Sequence, residues 1–372
     1  MTVFVVFGTR PEAIKMCPLI KKLKNEKDID CLVCLTGQHK EMLKQVMDAF
    51  EVKEDYNLDI MKQSQTLTSI TTSILIKLED IYKIVKPDLV LVHGDTTTSF
   101  AAALAAFYQK IPVGHVEAGL RSGNIYSPYP EELNRLLTDR ISNIYFAPTE
   151  NNKENLLHEG ILDNVFVTGN TVIDAFQYTV QEDYNFLNEE LNKLDYKKRI
   201  IVLTAHRREN LGDPLKSICK AVKRIALKYP DVFFVYPVHL NPIIKETVYE
   251  YLRDINNIKL INPIDVFDMH NLLARCFMVL TDSGGLQEEA PHFGKPVFVL
   301  RKETERPEAI EAGTVKIIGI EENDIFKEVT NILDNKTIYD NMAHAVNPYG
   351  DGHASDRICN IIKNFLYMYY YH

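Results

Sequence analysis

The chain has 372 residues, which is long for a single core and predicts two domains. Of these residues 46% are hydrophobic and 25% are charged, a composition typical of a soluble globular protein. Its formal net charge of -9 argues against nucleic acid or an anionic membrane surface as a partner. No apolar run approaches the roughly 20 residues that span a bilayer. The start lacks a basic segment and a cleavage site, so it is not expected to be a signal peptide. Scattered cysteines favour a reducing, cytoplasmic location.

Short apolar runs alternate with amphipathic helical patterns along the whole chain. Helices are predicted between the strands, for example over 13–24 and 215–228. The predicted strands cover residues 3–7, 31–35, 89–92, 113–116, 145–147, 165–168, 200–204, 232–236, 259–261, 277–280, 297–300 and 315–318. Such alternation is typical of parallel sheets with helices on both faces.

The domain boundary is expected between Asp174 and Lys198, a segment rich in Asn, Asp, Glu, Tyr and Lys without a strand pattern. A second series of strands and helices begins at Arg199. We therefore predict an α/β protein with two doubly wound, Rossmann-like domains, residues 1–175 and 176–354, facing a central cleft. A final helix is predicted within residues 355–372. Its sequence pattern does not determine which of the two domains it packs on.

Three carboxylates are placed where two strands end and where the next helix begins. Asp95 follows the apolar run 89–92, Glu117 follows 111–116, and Glu131 opens the next helix. The ligand crevice of an open parallel sheet lies at the carboxyl ends of its strands, so these acids should converge. Clustered carboxylates repel one another, which pushes their pKa values apart and suits proton transfer at carbon.

Two histidines each precede one of these acids by two residues. His93 lies before Asp95, and His115 lies before Glu117. Either histidine could orient the acid or could fill a gap in the core.

The first predicted anion-binding loop is the string from Gly8 to Lys15. Gly8 permits a sharp exit from the first strand, and Pro11 suits the first helical turn. Arg10 and Lys15 add positive charge. The alternative is an ordinary strand-to-helix turn with solvated cations.

The second predicted anion-binding loop follows the strand that ends at Leu280. Ser283, Gly284 and Gly285 would let a phosphate approach the backbone N–H groups at a helix start. Glu289 could accept both hydroxyls of a ribose. The alternative is a helix cap with a solvated Glu. Motifs for ATP or a dinucleotide are absent, and histidine and cysteine spacings do not suit a metal, so we expect neither a cofactor nor a metal.

A third candidate loop follows the first strand of the second domain. His206 could hold a diphosphate or protonate a leaving oxygen. Its neighbours Arg207 and Arg208 could clamp phosphate or form surface ion pairs.

Eight short strings in the chain resemble motifs of the non-hydrolysing UDP-N-acetylglucosamine 2-epimerases. They occur in the order of that family and together cover most of the chain. The strings begin at Gly8, His93, His115, Pro130, Val167, His206, Asp282 and Arg306.

The resemblance implies a GT-B-like architecture in which the last helix crosses back to the first domain. It implies reversible conversion of UDP-GlcNAc to UDP-ManNAc, which supplies surface polysaccharide synthesis. The route would be anti elimination of UDP to 2-acetamidoglucal followed by re-addition. A homodimer is also implied.

The same resemblance assigns roles to residues of this chain. Asp95, Glu117 and Glu131 would form the acid–base set, and His206 would support the diphosphate. The nucleotide would be held by Arg10, Lys15, Ser283, Gly284, Gly285, Glu289 and Arg306.

Relatives described as activated by a second UDP-GlcNAc suggest a regulatory site. The matching positions are Gln38, Glu41, Gln65, Glu131, Arg207 and His239. Ser64 stands where Arg is expected and Glu41 where Gln is expected. Both differences should weaken diphosphate binding.

Two other functions fit a UDP-sugar site. A GT-B glycosyltransferase would transfer the sugar to an acceptor, but it has no carbon proton to move. A non-enzymatic binding protein would leave the clustered acids without a role.

Overall fold

The structure, a computed structural model, describes residues 1–37, 40–60, 65–304 and 306–371, without the side chains of 40–42 and 369–371. The chain forms two compact units. The first contains Met1–Ala175 and the segment from Tyr349 onward, and the second contains Phe176–Pro348. Each unit is built on a parallel sheet with helices, which confirms the predicted α/β class with two Rossmann-like domains. None of the described helices is long and apolar enough to cross a membrane.

The first unit contains one parallel sheet. Its strands are β1 (Thr2–Phe7), β2 (Asp30–Leu35), β3 (Tyr56–Asn57), β4 (Leu89–His93), β5 (Val113–Val116), β6 (Ile144–Ala147) and β7 (Val165–Val167). Their order across the sheet is β3-β2-β1-β4-β5-β6-β7. The helices are α1 (Arg10–Lys24), α2 (Lys40–Ala49), α3 (Leu67–Val85), α4 (Thr97–Tyr108), α5 (Glu131–Ile141), α6 (Glu150–His158) and α7 (Thr171–Thr179), whose end lies in the second unit.

The second unit repeats this design with its own sheet. Its strands are β8 (Arg199–Thr204), β9 (Val232–Pro237), β10 (Ile258–Ile261), β11 (Met278–Thr281), β12 (Val297–Val299) and β13 (Val315–Ile317), in the order β10-β9-β8-β11-β12-β13. The helices are α8 (Glu189–Asn192), α9 (Asp213–Lys228), α10 (Pro242–Leu252), α11 (Val266–Arg275), α12 (Gly284–Glu289), α13 (Pro307–Glu311), α14 (Glu322–Asp334) and α15 (Lys336–Ala343). Short 3-10 turns cover Arg208–Asn210 and Ala290–Phe293.

Each sheet has one point where the strand order reverses. This point lies between β1 and β4 in the first unit and between β8 and β11 in the second. The loops that leave these strands at their carboxyl ends diverge to opposite faces, which opens a crevice for a ligand. The predicted loops at Gly8 and Asp95 therefore flank one such point, and those at His206 and Ser283 flank the other.

The central strands form because their side chains are apolar on both faces, as a sheet covered by helices on both sides requires. Residues 3–7 of β1 and 89–92 of β4 are fully buried. Helix α1 begins with a capping box, in which the side chain of Thr9 accepts from the backbone of Glu12 and the Glu12 side chain accepts from the backbone of Thr9.

The chain returns to the first unit at Tyr349, before the last helix, α16 (Ala354–Tyr371). The second domain was predicted to extend to residue 354. The earlier return follows from close backbone contact, because the backbone nitrogen of Asn170 donates to the Tyr349 carbonyl at 2.7 Å. The carboxylate of Asp174 then accepts from the first backbone nitrogens of α16, those of Ala354 and Ser355.

Candidate active site

Asp95 lies in the turn after β4, where Gly94 has a φ of 63° that allows the chain to leave the sheet sharply. The Asp95 carboxylate forms an ion pair with Arg135 of α5. Its backbone oxygen accepts a 3.0 Å hydrogen bond from the side chain of Asn134. Arg135 also lies 3.1 Å from the buried carboxylate of Glu132. Helix α5 therefore holds both the backbone and the carboxylate of Asp95 in place.

Glu117 follows β5 directly and has a φ of 65°, a left-handed conformation that costs a non-glycine residue about 1–2 kcal/mol. Its carboxylate pairs with Lys15, accepts a 3.1 Å hydrogen bond from Asn170 and lies 3.6 Å from Nε2 of His93. Burial opposes ionisation of this carboxyl. Lys15 and His93 outweigh burial and hold the pKa of Glu117 well below its usual range. Glu117 is thus ionised at neutral pH, as a proton acceptor must be.

Asp95 and Glu117 lie at the same edge of the sheet. Strands β4 and β5 pair in parallel, with His93 opposite Val116. A Cβ atom on Gly94 would lie 3.7 Å from Oε1 of Glu117. The structure therefore places the Glu117 carboxylate over the turn that carries Asp95.

Glu131 is the first residue of α5. An acidic residue in this position is favoured by the partial positive charge of the helix start. Arg135 is four residues later, on the same face of the helix. Because Arg135 contacts Asp95, the helix start that carries Glu131 lies beside the Asp95 turn.

The first anion-binding loop is joined to the Asp95 loop through Glu12. One carboxylate oxygen of Glu12 accepts from the backbone nitrogens of Gly8 and Thr9, at 3.0 and 2.8 Å. The other accepts from the Thr96 hydroxyl at 2.7 Å. Arg10, the first residue of α1, is partly exposed at this end of the sheet. Lys15 lies more than one turn further along α1, where it pairs with Glu117.

In the second unit, the Ser-Gly-Gly sequence marks the start of the short helix α12 after β11. Gly284 faces Arg306, because a Cβ atom there would lie 2.5 Å from Nη1 of Arg306. The Arg306 guanidinium is in turn held by Glu288, whose Oε1 accepts from Nε at 2.7 Å. The absence of a side chain at Gly284 thus makes room for Arg306. Ser283 and Gly285, on either side of Gly284, are only partly buried.

Glu289 is the last residue of α12 and is mostly buried. Its Oε2 lies 3.7 Å from Nε2 of His270. Burial lowers the pKa of His270 to about 3, so this ring is neutral at physiological pH. Nδ1 of the same ring lies 2.8 Å from the Thr179 hydroxyl. The carboxylate of Glu289 is therefore placed against a fixed, uncharged ring.

His206 follows β8 after one residue, and 39% of its side chain is exposed. Its ring stacks on that of His239, with centroids 5.6 Å apart and planes 5° from parallel. Burial, together with His239 and Arg207, lowers the pKa of His206, and the carboxylate of Asp282 opposes this shift. Arg208 is exposed. His206 is thus predominantly neutral at neutral pH and open on one side.

The positions matched to a regulatory site are only partly covered by the structure. Gln38 and Ser64 lie outside the described residues, as does the side chain of Glu41. Gln65 donates to the Ile60 carbonyl at 2.6 Å. Arg207 donates through Nε to the Asp282 carbonyl at 3.3 Å.

The sequence did not single out three carboxylates that support the site, Glu12, Asp139 and Asp282. It also did not show that Arg135 and Arg121 form ion pairs. Two of these residues have a readable signal. Glu12 completes a capping box, and Arg135 lies one helical turn after Glu131. Within the described ranges, no group of three or more His, Cys, Asp or Glu side chains is arranged to hold a metal ion.

Comparison with known proteins supports the resemblance drawn from the motifs. Residues 21–363 match the sequence model of a family described as UDP-N-acetylglucosamine 2-epimerase. A relative of that name from Bacillus subtilis is 52% identical over 372 residues, which cover 100% of this chain and 96% of the relative.

Two solved structures share the fold. UDP-GlcNAc 2-epimerase from Neisseria meningitidis, solved bound to UDP-GlcNAc, is 49% identical with a TM-score of 0.89, over 98% of this chain and 100% of that one. A protein from S. aureus, solved with UDP, is 49% identical with a TM-score of 0.88, over 99% and 97% of the two chains.

Proposed function

Because this chain belongs to the UDP-N-acetylglucosamine 2-epimerase family, we propose that it converts UDP-GlcNAc and UDP-ManNAc into each other. The Neisseria relative was solved with UDP-GlcNAc, which supports this substrate. The proposed chemistry is inversion at carbon 2 by anti elimination of UDP and its re-addition.

In the proposed reaction, a carboxylate removes the proton on carbon 2 while the bond from carbon 1 to the UDP oxygen breaks. The electron pair of the C–H bond forms the double bond of 2-acetamidoglucal, and the pair of the C–O bond leaves with UDP. In the return step a UDP oxygen attacks carbon 1 and an acid delivers a proton to carbon 2 from the opposite face. Two proton carriers on opposite sides of the sugar are therefore required.

The observation that carries the proposal is the pair of carboxylates at neighbouring strand ends, Asp95 and Glu117, each with its own cation. Glu117 is ionised and holds a strained backbone conformation, which is common at functional sites. Carboxylates beside a diphosphate weaken its binding by repulsion. Their presence is explained if they transfer protons, with Glu131 as the third member of the acid–base set.

The nucleotide would be bound by two sets of residues. Arg10 and Lys15 would supply positive charge from α1. Ser283, Gly284 and Gly285 would offer backbone N–H groups, with Arg306 beside them, and Glu289 would accept the ribose hydroxyls. His206 would donate to the diphosphate. Nucleotide retention matters because UDP must stay bound while the sugar is an intermediate.

The test is incubation with UDP-GlcNAc in heavy water. Deuterium at carbon 2 of both sugar nucleotides is expected. Asp95→Asn, Glu117→Gln and Glu131→Gln should each reduce turnover by about 100- to 10,000-fold, the usual contribution of a positioned acid or base. Glu150→Gln, an exposed carboxylate on α6, is the matched control and should leave turnover unchanged. An acid whose variant keeps normal turnover is not part of the mechanism.

The same incubation distinguishes the other functions. Irreversible loss of UDP with transfer to an acceptor would indicate a glycosyltransferase. Unchanged UDP-GlcNAc without deuterium would indicate a binding protein. Release of 2-acetamidoglucal and UDP from an impaired variant would support the elimination route.

Activation by a second UDP-GlcNAc is part of the proposal. Gln38, Gln65, Arg207 and His239 would bind it, and Ser64 would lower its affinity. The forward rate should be sigmoidal in UDP-GlcNAc, and the reaction from pure UDP-ManNAc should show a lag. Ser64→Arg should lower the activation midpoint, because Arg binds phosphate bidentately. A hyperbolic forward curve with no lag in reverse would contradict activation.

The setting of the reaction is also proposed. All six cysteines are free and buried, which supports a reducing cytoplasm as the location. The product would feed surface polysaccharide synthesis.

A homodimer is proposed from the family resemblance, and light scattering of the purified protein would test it. A monomer at micromolar concentration would contradict it.

A further inference from the structure

His115 is completely buried and is hydrogen-bonded on both sides of its ring. Nε2 lies 2.7 Å from the carbonyl oxygen of Gly94, and Nδ1 lies 2.6 Å from Oδ1 of Asp139 on α5. Neither the ring nor the Asp139 carboxylate is accessible to solvent.

These two hydrogen-bond partners determine which nitrogens of the His115 ring carry a proton. A carbonyl oxygen only accepts hydrogen bonds, so Nε2 must carry a proton. Asp139 accepts two further N–H groups on Oδ2, from Arg121 at 2.8 Å and from Gly119 at 3.3 Å. Burial opposes ionisation of Asp139, but His115 and Arg121 lower its pKa, so it is a carboxylate. A carboxylate also only accepts, so Nδ1 must carry a proton as well.

The charges around the ring balance only if His115 is positive. Arg121 also binds Glu159 through two hydrogen bonds, of 2.6 and 2.8 Å. Arg121 contributes one positive charge, and Asp139 and Glu159 contribute two negative charges. Glu159 is partly exposed, with 24% of its side chain accessible, but Asp139 is completely buried and shares Arg121 with it. A neutral His115 would therefore leave the buried charge of Asp139 incompletely compensated, which is costly. An imidazolium makes the network neutral. Tyr145 of β6 is the strand neighbour of His115 and adds a further titratable group beside it.

The network connects the two loops that carry the proposed catalytic acids. Gly94, whose carbonyl accepts from His115, directly precedes Asp95. His115 itself lies two residues before Glu117, and Gly119, bound to Asp139, lies two residues after it. The imidazolium is therefore placed to fix the Asp95 turn relative to the strained backbone at Glu117.

We propose that His115 is held as an imidazolium and acts as a positioning residue that aligns Asp95 and Glu117 for proton transfer at carbon 2. This rests on the proposed function for the roles of the two acids. His115 touches neither substrate nor reacting atoms, and it acts through the Gly94 carbonyl and through Asp139.

The charge of the ring is tested by NMR of the whole protein labelled with ¹⁵N-histidine, at about pH 8, where an ordinary imidazole is neutral. Both ring nitrogens of His115 should carry protons, with His115→Gln used to assign the signals. In Asp139→Asn the ring should lose one proton. One bare ring nitrogen in the wild-type protein would overturn the proposal. This measurement does not depend on epimerase activity, so it is informative even if the proposed function fails.

The positioning role is tested with two substitutions that each keep one donor. His115→Gln places an amide near the position of Nε2 and preserves the bond to Gly94, whereas His115→Asn places an amide near Nδ1 and preserves the bond to Asp139. His115→Asn loses the hydrogen bond from the ring to the carbonyl of Gly94, which directly precedes Asp95. It should therefore reduce kcat by about ten- to one-hundredfold, the factor that corresponds to one charge-assisted hydrogen bond. His115→Gln keeps this bond and should reduce kcat less. Both should bind UDP with wild-type affinity.

Other outcomes of these kinetic and stability measurements would overturn the positioning role. Equal loss of kcat in both variants, in parallel with loss of stability, would show a merely structural role and overturn the positioning claim. If neither variant folds, Asp139→Asn provides the same test, because it keeps the shape and removes the charge. Normal kcat in a stable Asp139→Asn protein whose ring is neutral would overturn the proposal.

Discussion

The buried carboxylate of Asp282 holds the loop that carries His206. Its Oδ2 accepts from the backbone nitrogens of His206 and Arg207, at 2.7 and 2.8 Å, and Oδ1 lies 3.4 Å from Nδ1 of the His206 ring. Asp282 follows β11, and His206 follows β8, so the contact joins the two loops where the strand order reverses. Glu12 makes the equivalent connection in the first unit. In both units one buried carboxylate therefore connects the two loops that flank the point where the strand order reverses.

Asp282→Asn should lower the pKa of His206 further. Burial already lowers it, and the negative charge of Asp282 opposes that shift by stabilising the imidazolium. A neutral amide removes this opposition, so the ring should lose its proton at lower pH than in the wild type. Titration of the His206 ring by NMR measures the change, with exposed Asp213→Asn as control. An unchanged or higher pKa would contradict the assigned contact.

Lys15→Met should raise the pKa of Glu117, because Lys15 is one of the two groups that hold it down against burial. Removing one partner of a mostly buried pair typically costs about 3–5 kcal/mol. The cost should be greatest at neutral pH, where Glu117 is ionised, and should shrink as acidification protonates it. Urea unfolding of both proteins at several pH values measures this difference. Lys22→Met, which breaks a surface pair on the same helix, should show a small loss.

Gly284→Ala should weaken UDP binding by displacing Arg306. The new methyl group would meet Nη1 of Arg306 at 2.5 Å. Loss of a charged hydrogen bond costs about 1.5–3 kcal/mol, which corresponds to about tenfold or more in affinity. Arg306→Ala should give a similar loss, and the double variant little more, since both act through one contact. Calorimetric titration with UDP measures all three, and exposed Arg253→Ala should bind normally. Additive losses would show that Gly284 acts independently.

Gly119→Ala should destabilise the protein more than Gly123→Ala. Both glycines have positive φ values, 84° and 77°, so both variants incur about 1–2 kcal/mol of backbone strain. A Cβ atom on Gly119 would also lie 2.1 Å from the Asn152 carbonyl, whereas one on Gly123 meets no atom within 4 Å. Overpacking should add about 1–3 kcal/mol. Chemical denaturation of the two variants measures the loss of stability in each. Equal losses would contradict the predicted contact between a Cβ atom on residue 119 and the Asn152 carbonyl.

The strands were predictable because a strand covered on both faces is a continuous apolar run. The prediction for residues 113–116 matches β5, and 31–35 differs from β2 by one residue. Strand β3, Tyr56–Asn57, was not predicted. It consists of two residues, one of them Asn, and it exists because Cys34 and Leu35 of β2 offer it an edge to pair with. The family resemblance drawn from the motifs is confirmed by the comparisons.

The placement of Asp95 and Glu117 at strand ends followed from the sequence, but their ion-pair partners did not. Arg135 is 40 positions from Asp95 along the chain, so their contact depends on how α5 packs against the sheet. The two interpretations of His115 could not be separated either, because a buried histidine in the core and one that orients an acid have the same local sequence. Only its two hydrogen-bond partners distinguish them.

The first unit is assembled from two segments separated by the whole second unit, and this affects the order of folding during synthesis. Ile358, Ile362 and Leu366 of α16 are buried in it, and α16 reaches α1 through the pair of Lys22 and Asp356. These residues leave the ribosome after the second unit has emerged. The second unit can therefore complete its core first, whereas the amino-terminal unit waits with an uncovered apolar face on α1. Domains usually complete folding in chain order, whereas here we expect the second unit to complete its core before the first.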